Sequence, residues 1–147
     1  TGVKRRLTYQ IKRDDLVRME DYAHHPEAIN AVFSAIEEMF PKKKVLAVFQ
    51  PHLYSRTRDF IDDFAKSLSQ FDELILLDIY PARELPIDGV TSEWLLSKVN
   101  CEHKKLVTKE KLLDEISVSD AQVILTMGAG DIGDEVQHIK RRLSNAS

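Results

Sequence analysis

The chain has 147 residues, 43% of them hydrophobic and 31% charged, with a formal net charge of −3. That is enough length and apolar material for one packed domain, and it excludes intrinsic disorder as well as a global basic field for nucleic acid or an anionic membrane. A single cysteine, Cys101, excludes an internal disulfide framework and fits a reducing compartment.

No apolar run approaches the roughly 18 residues of a membrane span, and no signal-peptide pattern opens the chain. Because the chain starts on Thr1 rather than Met, a longer parent protein is expected. Residues 1–22 read as a hairpin or linker strand pair. Leu7, Tyr9 and Ile11 alternate with polar neighbours, residues 12–15 form a turn-like break, and residues 16–22 are a second extended segment. The basic run Lys4-Arg5-Arg6 reads as solvated surface.

Pro26 suits the first position of a helix, where no N–H is needed. Ile29, Val32, Phe33, Ile36, Met39 and Phe40 follow with a helical period, until Pro41 and three lysines end the helix. His24 and His25 therefore lie at its amino end. The run Val45-Leu46-Ala47-Val48-Phe49 predicts a buried strand, and a helix with Phe60, Ile61, Phe64, Ala65 and Leu68 on one face follows it. Residues 74–77 predict a second apolar strand, which leads into a polar loop, residues 78–87, stiffened by Pro81 and Pro86. Thr91 and Ser92 can cap a helix carrying Trp94, Leu95, Leu96 and Val99. A weak strand at 105–107, a short helix at 109–116 and a clear strand at 123–127 come next. Gly128, Gly130 and Gly133 then open a helix that aligns Ile132, Val136, Ile139 and Leu143.

Strands and helices alternate, and the strands are apolar throughout. This pattern predicts an α/β domain, Rossmann-like, with a mostly parallel sheet and helices on both faces. The polar loops after Phe49, Leu77 and Met127 then fall on one sheet edge, where open α/β sheets bind ligands. The richest of them holds His52, Ser55, Arg56, Thr57 and Arg58 between a strand's carboxyl end and a helix's amino end, a setting that favours an anion. The competing reading is a solvated loop whose arginines pair with Asp59, Asp62 and Asp63. His24, His25 and His52 could converge on a metal, but adjacent histidines point differently and no further ligand spacing supports a site, so no metal is expected. The glycines match G-x-G-x-x-G, yet no strand with a ribose-binding acid follows, so NAD is not expected.

Several segments, taken in order, resemble the C-terminal domain of the Mur ligase family. They are Gly2-Val3-Lys4-Arg5-Arg6, Asp21-Tyr22-Ala23-His24-His25-Pro26, Phe49-Gln50-Pro51-His52, Arg56-Thr57-Arg58-Asp59, Tyr80-Pro81-Ala82-Arg83-Glu84, Gly89-Val90-Thr91-Ser92 and Gly128-Ala129-Gly130-Asp131-Ile132. The resemblance is nearest to the branch that joins L-alanine to UDP-N-acetylmuramate in bacterial peptidoglycan synthesis. It implies a cytoplasmic parent enzyme of three domains, with residues 1–22 as the junction from a central ATPase domain and 23–147 as the C-terminal domain. No G-x-x-x-x-G-K-[ST] occurs here. ATP and Mg2+ are therefore expected mainly on the central domain and not in this chain, which alone should be inactive. By resemblance, Tyr22 and His24 face the nucleotide, while His52 and Arg56 face the acyl phosphate and the incoming L-alanine. Arg83, Gly128 and Gly130 are weaker substrate-binding candidates, from position alone. Leu53 departs from relatives that carry a basic residue there, which leaves more to Arg56. The partners implied are small-molecule substrates and the parent's own N-terminal and central domains, not nucleic acid or membrane. The alternatives are a sister ligase, of the Mur or folylpolyglutamate type, and a non-enzymatic anion-binding module.

Overall fold

The computed structural model describes residues 16–128, together with the backbone of residues 8–12. In chain order the elements are β1 (Thr8–Lys12), β2 (Val17–Asp21), α1 (Pro26–Met39), β3 (Val45–Gln50), α2 (Tyr54–Asp59), α3 (Ile61–Leu68), β4 (Glu73–Leu76), α4 (Ser92–Lys98), β5 (His103–Leu106), α5 (Lys109–Ser117) and β6 (Val123–Gly128). They build one sheet of order β1-β2-β6-β3-β4-β5. The strands from β2 to β5 in that order are mutually parallel, and only β1 runs antiparallel, against β2. The fold is the expected α/β arrangement with a mostly parallel sheet.

The central strands β3 and β6 are buried at every position, because helices cover both faces. Alternation along β3 sends Val45, Ala47 and Phe49 to one face, where they meet Ile29, Val32 and Ile36 of α1, Phe64 and Leu68 of α3, and Leu95 of α4. Leu46 and Val48 point to the other face, against Leu112 and Ile116 of α5. Pro26 occupies the first turn of α1 as its sequence predicts, and Thr91 caps α4 by accepting the Trp94 N–H at 3.0 Å.

The expected strand pair at the start of the chain is present, and its second strand does more than link. β2 runs alongside β6 from Val17↔Val123 to Asp21↔Met127 and so extends the sheet. Other departures are small. β4 begins at Glu73 rather than 74, and β5 spans 103–106 rather than 105–107, because pairing with β4 sets its register (Glu73↔His103). β5 is an edge strand exposed at all of its positions, and its Lys104 and Lys105 are the kind of residue that discourages edge-to-edge association. The helix expected after Gly128, with Gly130 and Gly133, lies outside the described residues.

One residue breaks the apolar pattern. Arg18, in the middle of β2, is 0% exposed, and its Nη1 donates to the Met19 carbonyl (3.0 Å) and to Thr126 Oγ1 (3.2 Å), while Nε and Nη2 find no partner among the described residues. Desolvation pulls its pKa down to about 10, opposed by the nearby Glu20 charge, so the group is still cationic at neutral pH. Burying a cation with donors unmet costs stability rather than supplying it.

Candidate functional site

Parallel pairing aligns the carboxyl ends of β2, β3, β4 and β6 on one edge. In register, Asp21 lies beside Met127, Phe49 beside Met127 and Leu76 beside Phe49. The segments leaving those ends carry the chemistry. After β2, Asp21 Oδ1 accepts the Ala23 N–H at 2.8 Å and shapes the turn into Tyr22, His24 and His25. After β3, backbone bonds from Leu53 N to Tyr80 O and from Tyr80 N to Pro51 O, both 2.8 Å, tie residues 51–53 to the loop after β4. The His52 ring lies nearly parallel to Tyr80, with centroids 5.7 Å apart.

The three histidines come together. The His24 ring centroid is 4.7 Å from that of His25 and 5.9 Å from that of His52, and Tyr22 meets His24 edge-on at 5.4 Å. No group of three or more His, Cys, Asp or Glu side chains placed to hold a metal occurs among the described residues. Hydrogen bonding fixes two tautomers. His24 Nδ1 lies 2.9 Å from the Tyr22 carbonyl, which can only accept, so that nitrogen carries a proton. His52 Nδ1 lies 3.1 Å from Arg56 Nη1, which can only donate, so that nitrogen carries none and the proton sits on Nε2. The His52 pKa is pushed down by burial first, then by the Arg56 and His24 charges. His25 is pushed down for the same reasons in the same order. At neutral pH, then, Arg56 is the fixed cation of the cluster, and the neutral His52 presents an Nε2–H donor beside it.

Arg56 is half-buried, and its side-chain hydrogen bond among the described residues is the one to His52. Of the carboxylates proposed to neutralise it, Asp59 pairs with Arg58 at 2.8 Å and Asp62 with Lys98 at 3.6 Å, and Asp63 makes no ion pair with Arg56. The solvated-pair reading therefore holds for Arg58 and not for Arg56.

Three expectations need correction. Ser55, Arg56, Thr57 and Arg58 do not lie in a loop. They form the short helix α2, and Phe60, expected on the core face of the next helix, is 44% exposed at the junction between α2 and α3. The amino end of α2 is also not open to an external anion. Glu84, from the loop after β4, accepts the Ser55 N–H at 3.1 Å and the Ser55 hydroxyl in a short hydrogen bond, and these contacts hold its carboxyl below the usual range. The protein supplies its own carboxylate where a bound anion was expected. Glu84 was not foreseen, because its partner lies 29 residues away in sequence.

Leu53, between His52 and α2, has φ 76° and ψ 133°, strained for a side chain with a Cβ, and its carbonyl accepts both the backbone N–H (3.2 Å) and hydroxyl (2.9 Å) of Thr57. Arg83 is exposed on the turn closed by Glu84 N and Pro81 O (2.9 Å). Gly128 ends β6, buried beside Gln50 of β3 with φ 150°. Gly130 lies outside the described residues.

A family model described as Mur ligase, glutamate ligase domain, matches residues 5–130. The chain belongs to the Mur ligase family. This Mur ligase domain is 62% identical over 143 residues to the UDP-N-acetylmuramate–L-alanine ligase of Flavobacterium johnsoniae, covering 97% of this chain and 32% of that protein. Its structure is similar to that of UDP-N-acetylmuramate–alanine ligase from Thermotoga maritima, with a TM-score of 0.79, 26% identity, and coverage of 99% of this chain and 31% of that one. Folylpolyglutamate synthase from Thermotoga maritima shares the fold at 12% identity, with a TM-score of 0.61 and coverage of 98% and 31%. The Mur ligase domain spans about a third of the length of the curated relatives it matches. No helix among its described residues is long and apolar enough to cross a membrane.

Proposed function

We propose that this domain completes the active site of a cytoplasmic bacterial ligase that uses ATP to join L-alanine to UDP-N-acetylmuramate in peptidoglycan synthesis. The observation that carries the reading is Arg56, bonded to His52 on the edge where the strands end, without a carboxylate neutralising it among the described residues. The 62% identity to a ligase bearing that name supports the choice of substrates. Residues 1–22 then join the central ATPase domain, 23–147 form the C-terminal domain, and this chain alone is inactive.

In this reading, ATP supplies the phosphoryl group that activates the sugar's carboxylate for attack by the amine. Negative charge builds on phosphoryl oxygens and on the tetrahedral centre, and preorganised donors stabilise such charge with little reorganisation. Arg56 brings a rigid fork of N–H donors suited to phosphate or carboxylate. His52 adds its Nε2–H, with orientation fixed by Tyr80 and Arg56. Tyr22 is 40% exposed and offers an aromatic face to the nucleotide, next to His24. Arg83, Gly128 and Gly130 serve at the margin of the substrate site. The donor set here is guanidinium and imidazole rather than clustered carboxylates, which suits anions and leaves Mg2+ to the central domain.

The test is ADP release by the whole protein, given UDP-N-acetylmuramate, ATP and one amino acid at a time. The expected result is release that depends on L-alanine and on the sugar nucleotide. Release that depends on glutamate and a folate, or no amino-acid-dependent release at all, would refute the assignment.

A further inference from the structure

We infer that Glu84 is a positioning residue, which seats α2 through Ser55 so that Arg56 remains bonded to His52. The inference rests on reading Arg56 and His52 as the anion-handling pair, but its test does not use catalysis. Three connections converge on one small region. Pro51 and Leu53 are bonded to Tyr80 through the backbone, the His52 ring lies against Tyr80, and Glu84 holds both the N–H and the hydroxyl of Ser55. His52 is thus fixed from the side of the β4 loop, and Arg56 is carried by a helix whose first turn is fixed from that same loop. The two side chains meet only if both attachments keep register.

Helix α2 has six residues and a strained entry at Leu53, so its own backbone bonds are too few to define its direction. Its cap residue contributes no side-chain bond. Glu84 takes that place from a distance, and the turn from Pro81 to Glu84, with Ala82 at φ 55°, delivers it there. The consequence falls on a proton. While Arg56 donates to Nδ1, His52 must keep its proton on Nε2, the nitrogen left to serve a ligand. Once α2 swings free, the ring can exchange tautomers.

Two-bond 1H–15N correlation spectra of the histidine rings read this directly in the 147-residue chain. In the wild type at mildly alkaline pH, His52 should show one tautomer, protonated at Nε2. Glu84→Ala and Ser55→Ala should each give a mixture of tautomers, and Ser55→Ala, which changes no charge, should also raise the His52 pKa toward the ordinary histidine value as Arg56 moves away. Glu84→Gln keeps an acceptor for the Ser55 N–H and a polar group for its hydroxyl, so it should retain the single Nε2–H form. A wild-type ring protonated at Nδ1, or an unchanged single tautomer in both Ser55→Ala and Glu84→Ala, would overturn the inference. So would a mixture in Glu84→Gln equal to that in Glu84→Ala, since charge rather than seating would then be responsible. If Glu84→Ala loses backbone dispersion as a whole, Ser55→Ala decides with the same two outcomes. Because these readings need no substrate, their failure is separate from a failure of the ligase assignment.

Discussion

Replacing Arg56 with alanine in the proposed whole ligase is expected to lower kcat/KM by roughly 30-fold to several thousand-fold while the melting temperature stays near that of the wild type. Removing one partner of a desolvated charge interaction typically costs about 2–5 kcal/mol, and about 1.4 kcal/mol corresponds to a decade in rate. The large end of that range requires that the guanidinium be held in place before the anion arrives. The half-buried position of Arg56 and its bond to His52 supply that preorganisation. Arg56→Lys should recover only part of the loss, because lysine keeps the charge without the planar fork. Arg58→Ala is the internal control. Arg58 is exposed and paired with Asp59, a surface ion pair of the kind that contributes little, so its loss should change kcat/KM less than about threefold. Steady-state kinetics on the three variants separates the cases, and a threefold loss or less for Arg56→Ala would reduce that residue to surface decoration.

Phe49→Ala is expected to destabilise the domain by about 3–5 kcal/mol, the usual cost of emptying a buried aromatic site. Phe49 is 0% exposed, it is the last apolar residue of β3, and its ring centroid lies 5.7 Å from that of Phe64 on α3. At about 2–4 °C per kcal/mol for a domain near this size, the melting temperature should fall by roughly 10 °C. Phe60→Ala provides the contrast. The sequence groups Phe60 with the core face of its helix, yet it is 44% exposed, so its loss should cost less than about 1 kcal/mol. Thermal denaturation followed by circular dichroism checks both, and equal destabilisation by the two substitutions would contradict the packing described here.

The parallel sheet was legible because β3 and β6 are continuous apolar runs, and such runs need cover on both faces. From that inference alone, the loops after β3 and β4 fall on one edge, where the candidate site lies. What stayed hidden depended on distant partners. Residues 54–59 carry no apolar period because α2 buries only Thr57, so a six-residue helix reads as loop. Its amino end is satisfied by Glu84, which no local pattern relates to Ser55. Arg18 was hidden for the opposite reason. Val17-Arg18-Met19-Glu20 alternates as a half-exposed strand does, and only a strand buried on both faces makes Arg18 an interior cation.

A crystal structure of the whole protein closed on a nonhydrolysable ATP analogue, UDP-N-acetylmuramate and L-alanine would test the central claim most directly, by the distances from Arg56 and His52 to the reacting groups. In that complex, Arg56 Nη atoms and His52 Nε2 should lie within about 3.2 Å of phosphoryl or carboxylate oxygens, the range of charge-assisted hydrogen bonds. A closed complex in which both side chains face solvent, with the substrates held entirely by the other domains, would contradict it.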